Sequence, residues 1–398
     1  MKPRFVLPGV LVIAAIVAII AAGIAAVALA TMPSLWPGRG TANARFDPLL
    51  ASAVCTSPRA GPPPLLAHLV QARSPLPPAP PVQPETRPFT PGQQPDAAIP
   101  GAGHIVHMPS HIYYRLGMYR EALRANLDAI AIDERYFANA ASDPVYRGAY
   151  YPHNIHFVMV SALMGGDGPT AIEAASKLDK VITPELLKTI GALQPVKSSP
   201  YFAHVQFSDP DTLLALPDPG PDFVPVKAMW HYARAVGHTR NGAFDEAGRE
   251  IAALEAIARG GDFKAVTDWN IPGREIVRTA HAVARARLAD AQGQLPRAIA
   301  AWREAIAIQD RLPYMEPPYW YYPVRQSLGV ALLRSGQPAA AEKVFRDSLA
   351  RTPSNGWALR GLMEVYRVRG DQEALGATQK QFATTWLGKA EGPALSSL

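Results

Sequence analysis

The chain is poor in cysteine and in charge. It has one cysteine, Cys55, among 398 residues, and Asp, Glu, Lys and Arg together make up 18% of it. A single cysteine excludes an intrachain disulfide, a cysteine-based zinc cluster and an iron–sulfur site. The net charge of +6 is not concentrated in a block of Lys and Arg, so we expect no nucleic-acid partner.

Common enzyme motifs are missing as well. The glycines at 38–40 and 165–168 lack the preceding strand and the lysine of a phosphate-binding loop. No spacing supports a Ser-His-Asp triad or a cysteine nucleophile. These absences favour a binding protein over an enzyme.

The N-terminus contains a long apolar run. No charged residue occurs from Phe5 to Gly38, and about 20 apolar residues suffice to cross a bilayer. Lys2 and Arg4 precede the run, which favours an N-terminus inside and a body outside the cytoplasm. The sequence predicts a membrane anchor or signal segment over residues 1–32. The alternative to an anchor is a cleaved signal that leaves a secreted or periplasmic body, since 28–30 has the small-x-small form of a cleavage site.

Residues 33–100 are rich in proline. Seventeen of the 40 prolines fall in this stretch, including the runs 62–64 and 80–81. Proline removes backbone donors and favours extended polyproline-like chain. We expect a largely disordered linker between the anchor and the body.

Residues 101–398 show a repeated spacing of glycine and alanine. A glycine is followed five residues later by alanine at 117/122, 166/171, 242/247, 293/298 and 336/341, and Gly336 and Gly370 are 34 residues apart. Glycine suits a turn with positive φ, and a small alanine lets two helices approach closely. The pattern resembles the tetratricopeptide repeat. That resemblance implies an all-α, right-handed helical solenoid of five to seven helix pairs.

Five of the ten histidines fall in two neighbouring repeats. His104, His107 and His111 are spaced i, i+3 and i+7, and His153 and His156 are spaced i, i+3, so each set shares a helix face. By the resemblance, these positions line the concave groove. The corresponding positions of later repeats hold other residue types, so the histidine cluster is confined to the first two repeats. These positions are Met229, Tyr232, Val236, Ala280, Val283 and Arg287.

Clustered histidines are typical of a transition-metal site. Neutral imidazole binds Zn, Cu, Fe or Ni, and three such nitrogens with an open position suit a catalytic or transport metal. If the chain has a cofactor, we expect a divalent transition metal bound by these five histidines. The alternative is that several of them pack as hydrogen-bonded helix-interface residues. Pro109 lies between the histidines, either inside a helix or as its first residue.

Several stretches resemble the family of tetratricopeptide repeat protein 38. They are residues 103–133 (GHIVHMPSHIYYRLGMYREALRANLDAIAID), 150–159 (YYPHNIHFVM), 228–237 and 316–333. The resemblance covers about 101–385 and implies that Asn126 and Asn154 lie with the five histidines. Relatives generally have further helical repeats before the Gly-His-x-x-His motif, whereas this chain has the apolar run and the proline-rich stretch there.

Residues 316–323 form a loop rich in aromatic side chains. The loop is either a surface on which a ligand stacks or a segment packed on the next helix pair. Arg325 follows the loop at a position from which it would reach the groove. The predicted groove residues are His104, His107, His111, Tyr114, Asn126, His153, Asn154, His156, Tyr232, Trp320 and Arg325.

Three functions follow from the sequence. The first is a membrane-tethered scaffold that binds a protein, peptide or small ligand in the groove. The second is a metal-binding protein or metal-dependent enzyme that uses the histidines. The third is a truncated, inactive paralogue, which predicts an exposed apolar face on the first repeat.

Overall fold

A computed structural model of the chain describes residues 102–139, 144 and 146–398. Within these ranges every regular element is a helix. No helix among them is both long and apolar enough to cross a membrane. The predicted anchor (1–32) and linker (33–100), including Cys55, lie outside the described residues.

The α-helices vary in length from 4 to 21 residues. In chain order they are α1 (Ala102–His107), α2 (Pro109–Arg115), α3 (Tyr119–Asn139), α4 (Tyr151–Gly165), α5 (Gly168–Val181), α6 (Pro184–Thr189), α7 (Leu193–Ser198), α8 (Pro200–Phe207), α9 (Pro210–Ala215), α10 (Val224–Arg240), α11 (Phe244–Gly260), α12 (Lys264–Thr267), α13 (Gly273–Ala291), α14 (Leu295–Gln309), α15 (Val324–Arg334), α16 (Pro338–Arg351), α17 (Gly356–Arg369) and α18 (Gln372–Thr385). A π-helical turn at Tyr146–Tyr150 leads into α4, and a 3-10 turn lies at Leu395–Ser397.

Most of these helices form consecutive pairs around a glycine turn. The turn glycines have φ between +72° and +83°, a conformation that side chains with a Cβ rarely adopt. They lie between α2 and α3 (Gly117), α4 and α5 (Gly166), α10 and α11 (Gly242), α13 and α14 (Gly293), α15 and α16 (Gly336), and α17 and α18 (Gly370). The turns predicted from the glycine spacing are therefore present.

The alanines five residues after the glycines are all fully buried. Ala122, Ala171, Ala247, Ala298 and Ala341 have no exposed surface. A side chain of one methyl group at each position lets the second helix of a pair lie close against the first. The sequence spacing thus encodes both the turn and the close helix contact.

The pairing is interrupted between α5 and α10. This region contains four short helices, α6–α9, and three of them begin at a proline, namely Pro184, Pro200 and Pro210. Proline is tolerated in the first turn of a helix but removes a hydrogen bond inside one, so closely spaced prolines divide the chain into short helices. The repeat is consequently not uniform over 101–398.

The aromatic loop between α14 and α15 packs inward. Trp320, Tyr321 and Tyr322 are at most 5% exposed. The ring of Phe202 on α8 lies 4.8 Å from that of Trp320 and 4.6 Å from that of Tyr321, measured between ring centroids. The sequence left two interpretations of this loop open, a ligand-stacking surface and a packed loop. The structure has the packed loop, and its rings form part of the core.

Residues near the C-terminus contact the second helix pair. The backbone N–H of Leu387 donates to the carbonyl of Gly165 at 2.8 Å, and the indole of Trp357 donates to the carbonyl of Leu163 at 3.1 Å. The ring of Trp386 covers Gly166, where a Cβ would collide with it. The last helix pair is therefore held against α4.

Gly166 and Gly242 form a matched pair for testing this contact. Both have positive φ, but a Cβ at Gly242 would meet nothing within 4 Å. Gly242→Ala should cost about 1–2 kcal/mol of the free energy of unfolding through backbone strain alone. Gly166→Ala should cost roughly 1–3 kcal/mol more, because its Cβ displaces Trp386. Denaturant unfolding of both variants measures the difference, and equal losses would mean that Trp386 does not pack there.

Candidate metal centre

Four histidines from three helices converge in the first two helix pairs. His104 and His107 lie on α1, His111 on α2 and His153 on α4. Pro109 is the first residue of α2, and Met108 before it keeps helical backbone angles. The three histidines of α1 and α2 therefore project from the same side of the two helices. The ring centroid of His107 lies 4.7 Å from that of His111 and 4.7 Å from that of His153.

Three ring nitrogens approach closely enough to share one ion. The Nε2 atoms of His107 and His111 are 2.8 Å apart, and those of His111 and His153 are 3.5 Å apart. One nitrogen from each of the three rings lies within 4.8 Å of the other two. Zn–N bonds of 2.0–2.1 Å in a tetrahedral site place the ligand nitrogens about 3.3 Å apart. The two distances of 2.8 and 3.5 Å lie on either side of that value.

Hydrogen bonds on the far side of each ring determine where the protons lie. The amide nitrogen of Asn126 donates to the carbonyl of Ala122 at 2.6 Å, so its Oδ1 is the atom that faces His107 Nδ1. His107 must therefore carry its proton on Nδ1. His111 Nδ1 lies 2.7 Å from a carboxylate oxygen of Glu316, which also requires a proton on Nδ1.

These two bonds leave a conflict between the rings. A neutral imidazole carries one proton, and in both His107 and His111 that proton is on Nδ1. Two unprotonated Nε2 atoms then face each other at 2.8 Å with their lone pairs opposed. This repulsion is removed by a metal ion bonded to both nitrogens, or by one added proton that forms an N–H···N hydrogen bond between them.

Glu316 comes from the loop that precedes α15. Its carboxylate also accepts from the Tyr314 hydroxyl, and Arg115 lies 3.8 Å away. Burial alone would raise the pKa of Glu316, but the hydrogen bonds from His111 and Tyr314 and the charge of Arg115 bring its pKa below the usual value. Glu316 is therefore ionised at neutral pH and accepts a hydrogen bond from the Nδ1–H of His111.

A buried acid on α3 holds the start of α1. Asp133 accepts from the Tyr146 hydroxyl at 2.6 Å and from the Asn154 amide at 2.8 Å. The Tyr146 hydroxyl in turn accepts from the backbone N–H of His104 at 3.1 Å. A Cβ on Gly103 would collide with Asp133, so the network needs glycine there. It fixes the segment from which His104 and His107 project.

The remaining predicted residues lie elsewhere. The Nε2 of His156 lies 2.8 Å from the Tyr321 hydroxyl and is not one of the three clustered nitrogens. Tyr114 packs in the core against Phe157. Tyr232 bonds to the Tyr322 hydroxyl at 2.6 Å and is fully buried, Trp320 is 2% exposed, and Arg325 pairs with Asp310 at 2.6 Å. Of the eleven predicted residues, the structure gathers His104, His107, His111, Asn126 and His153 around the centre, with Asn154 joined to it through Asp133.

Glu316 and Asp133 were missed by the sequence reasoning. Asp133 follows Asn126 by seven residues on α3, so helical spacing from a predicted residue would have pointed to it. Glu316 is 205 residues from His111 and had no such signal.

No protein-family model and no curated protein matches this chain. The resemblance to the tetratricopeptide repeat protein 38 family therefore depends on the motifs in the sequence, and the function has to be argued from the site itself.

Burial favours the neutral form of three of the clustered histidines, His104, His107 and His153. Burial and, to a smaller extent, the charges of His111 and His104 lower the pKa of His107 to about 4, against the opposing hydrogen bond to Asn126. Burial is also the main cause that lowers the pKa values of His104 and His153. At pH 7 these imidazoles are in the unprotonated state that metal coordination requires.

His156 gives a test of this burial through the pH dependence of stability. Burial lowers its pKa to about 3, whereas an unfolded histidine titrates near 6.5. Below pH 6.5 the unfolded chain gains a proton that the folded chain does not, so stability falls on acidification, by about 2 kcal/mol from this residue at pH 5. His156→Gln should remove that share from the pH dependence of urea unfolding. An unchanged dependence would show that His156 is not enclosed.

Proposed function

We propose that this chain binds one divalent transition-metal ion through the Nε2 atoms of His107, His111 and His153. The main support is the 2.8 Å approach of two Nε2 atoms whose protons are both committed to Nδ1. A metal ion bonded to both nitrogens removes the repulsion between their lone pairs. Imidazole ligands favour Zn, Cu, Fe or Ni over Mg and Ca, which take oxygen ligands.

The outer partners support a metal site more than a packing role. Histidine ligands usually donate their second ring N–H to a carboxylate or carbonyl oxygen, and such partners orient the ring. Glu316 fills this role for His111, and Asn126 fills it for His107. Asn126 lies on α3 and Glu316 lies in the loop before α15, so neither partner is on the helix of the histidine to which it is hydrogen-bonded.

Three protein ligands leave one position of a tetrahedral ion open, as in catalytic and transport sites. His104 lies beside the cluster, with its ring 5.2 Å from that of His107. Its Nδ1 is buried and has no hydrogen-bond partner in the part of the chain that the structure describes. We propose that a water or substrate occupies the open position, near the ring of His104.

The scaffold function is the second candidate, and one surface supports it. Ile105, Met108, Ile112 and Leu116 are 47–64% exposed and follow one another at helical spacing along α1 and α2. Such an apolar stripe favours a protein or peptide partner at this edge of the helix array. The stripe is also the exposed face that the truncated-paralogue hypothesis predicts. The predicted groove offers less support, because the aromatic loop fills the space beside Tyr232.

The proposal includes the finer features expected from the sequence. We take the helix pairs as tetratricopeptide-type units of a solenoid, on the support of their glycine turns and buried alanines. We also propose that residues 1–32 anchor the chain in a membrane, with the body outside the cytoplasm.

Metal analysis of the full-length chain tests the main proposal. After loading with Zn, Ni or Cu at pH 7 and removal of excess metal, we expect about one equivalent per chain. His107→Ala, His111→Ala and His153→Ala should each abolish it. Bound metal should also stabilise the fold, by about 2.7 kcal/mol at 100 times the dissociation constant, and the variants should lose this increment.

His281→Ala, on α13, is the control and should retain the metal. Lack of metal in the unaltered chain, or equal losses in all four variants, would reject the site.

Glu316→Gln tests the outer partner separately. It keeps a hydrogen-bond acceptor for His111 but removes the negative charge, so metal affinity should fall about 10–100-fold. Glu304→Gln, an exposed acid paired with Arg285, is the matched control and should bind as the unaltered chain does. Calorimetric titration with Zn measures both. Equal affinities would mean that Glu316 only anchors its loop.

A further inference from the structure

A cavity of about 210 Å³ lies where the helix pairing is interrupted. Its walls come from α5, α6, α7 and α8, from the loop that follows α9 and from the first turn of α10. Prolines divide this part of the chain into short helices, which cannot pack along their lengths as the long pairs do. The interruption of the repeat therefore leaves a space between these elements.

The inner part of the cavity is apolar. Leu187, Phe223 and Val226 line it and are at most 8% exposed, whereas Pro184 and Pro217 lie at its mouth and are exposed. An apolar cavity of about 150 Å³ in another protein binds benzene. The space is thus large enough for one aromatic ring with a short substituent.

Two acids at the mouth of the cavity are paired within the protein. Asp179 forms an ion pair with Lys197 at 2.6 Å, and Lys197 also donates to two backbone carbonyls, so its three N–H groups are all used. Asp218 accepts from Lys227 at 2.7 Å and from the backbone N–H of Gly220 at 2.8 Å. Since each acid already has a lysine, these side chains offer no unpaired charge to an ionic ligand.

Tyr201, on α8, supplies a polar group without a partner. Its side chain lines the cavity, and no described residue forms a hydrogen bond with its hydroxyl. Burial and, to a smaller extent, the charges of Asp179 and Asp218 raise the pKa of Tyr201, so the hydroxyl keeps its proton at neutral pH. The hydroxyl is therefore a hydrogen-bond donor near the two acids of the mouth.

We propose that this cavity binds a small uncharged molecule with one ring and a hydrogen-bond acceptor, such as an amide or ketone oxygen. The ring packs on the apolar inner part, and the acceptor takes a hydrogen bond from the Tyr201 hydroxyl. An anion is disfavoured because it would lie beside Asp179 and Asp218, whose lysines are already used. None of these residues belongs to the histidine cluster, so the site goes beyond the proposed metal function.

Prolines in the lining favour a cavity that exists before the ligand arrives. The ring of Pro184 fixes the start of α6, and Pro217 and Pro219 fix the backbone on either side of Asp218. Rigid walls reduce the ordering that binding would otherwise require.

The test compares three probes of similar shape, namely benzamide, benzoate and toluene. Benzamide carries an uncharged acceptor, benzoate replaces it by a carboxylate, and toluene has none. Each probe is titrated into the full-length chain at pH 7 and constant ionic strength, and saturation-transfer NMR measures the bound fraction. Benzamide should bind saturably, and benzoate should need at least tenfold higher concentrations.

Tyr201→Phe keeps the ring and removes the hydroxyl. The affinity for benzamide should fall about fivefold, as expected for the loss of one hydrogen bond, while toluene should bind unchanged. A purely structural role of Tyr201 would change both probes alike. Tyr136→Phe, at a half-buried tyrosine on α3 outside the cavity, is the matched control and should bind as the unaltered chain does.

Val226→Phe fills the inner part of the cavity and should abolish the binding of benzamide and toluene. If this variant does not fold, the difference between the two probes in Tyr201→Phe decides the matter. The proposal would be overturned by a lack of saturable benzamide binding, by equal affinities for benzamide and benzoate, by an unchanged benzamide affinity in Tyr201→Phe, or by full binding in folded Val226→Phe.

Discussion

The opposition of two unprotonated nitrogens, His107 Nε2 and His111 Nε2, is the constraint on which the site depends. Their protons are drawn to Nδ1 by Asn126 on α3 and by Glu316 in the loop before α15. His153 on α4 then adds a third nitrogen from another element. Packing of α1 and α2 against α3, α4 and the loop thus places these nitrogens where a shared cation would stabilise them, and burial opposes the protonation of His107 and His153.

The helix pairs could be predicted from the sequence because their signals are local. A glycine turn and an alanine five residues later lie within one or two helical turns, so their spacing can be recognised in the sequence. The histidines of α1, α2 and α4 were predicted for the same reason, since i, i+3 and i+7 positions share a helix face whatever the rest of the fold does. Asn126 required the family resemblance as well.

The rest of the site could not be predicted because it depends on long-range contacts. Glu316 reaches His111 across 205 residues, through a loop whose path no periodicity describes. The repeat pattern also indicates which side chains face inward but not what fills the space between them. Trp320, Tyr321 and Tyr322 fill part of it, so Tyr232 at a groove position is buried, and Arg325 turns to Asp310 instead.

The contact of Leu387 and Trp386 with α4 affects how the array unfolds as a whole. In an open row of repeats each unit touches only its neighbours, so the ends fray first and stability is close to a sum of local terms. Here residues more than 200 positions apart in the chain close the row, at the entropic cost of a long loop. Opening of the second pair or of the last then breaks contacts made by the other, so we expect their unfolding to be coupled and the folding step that joins them to be slow.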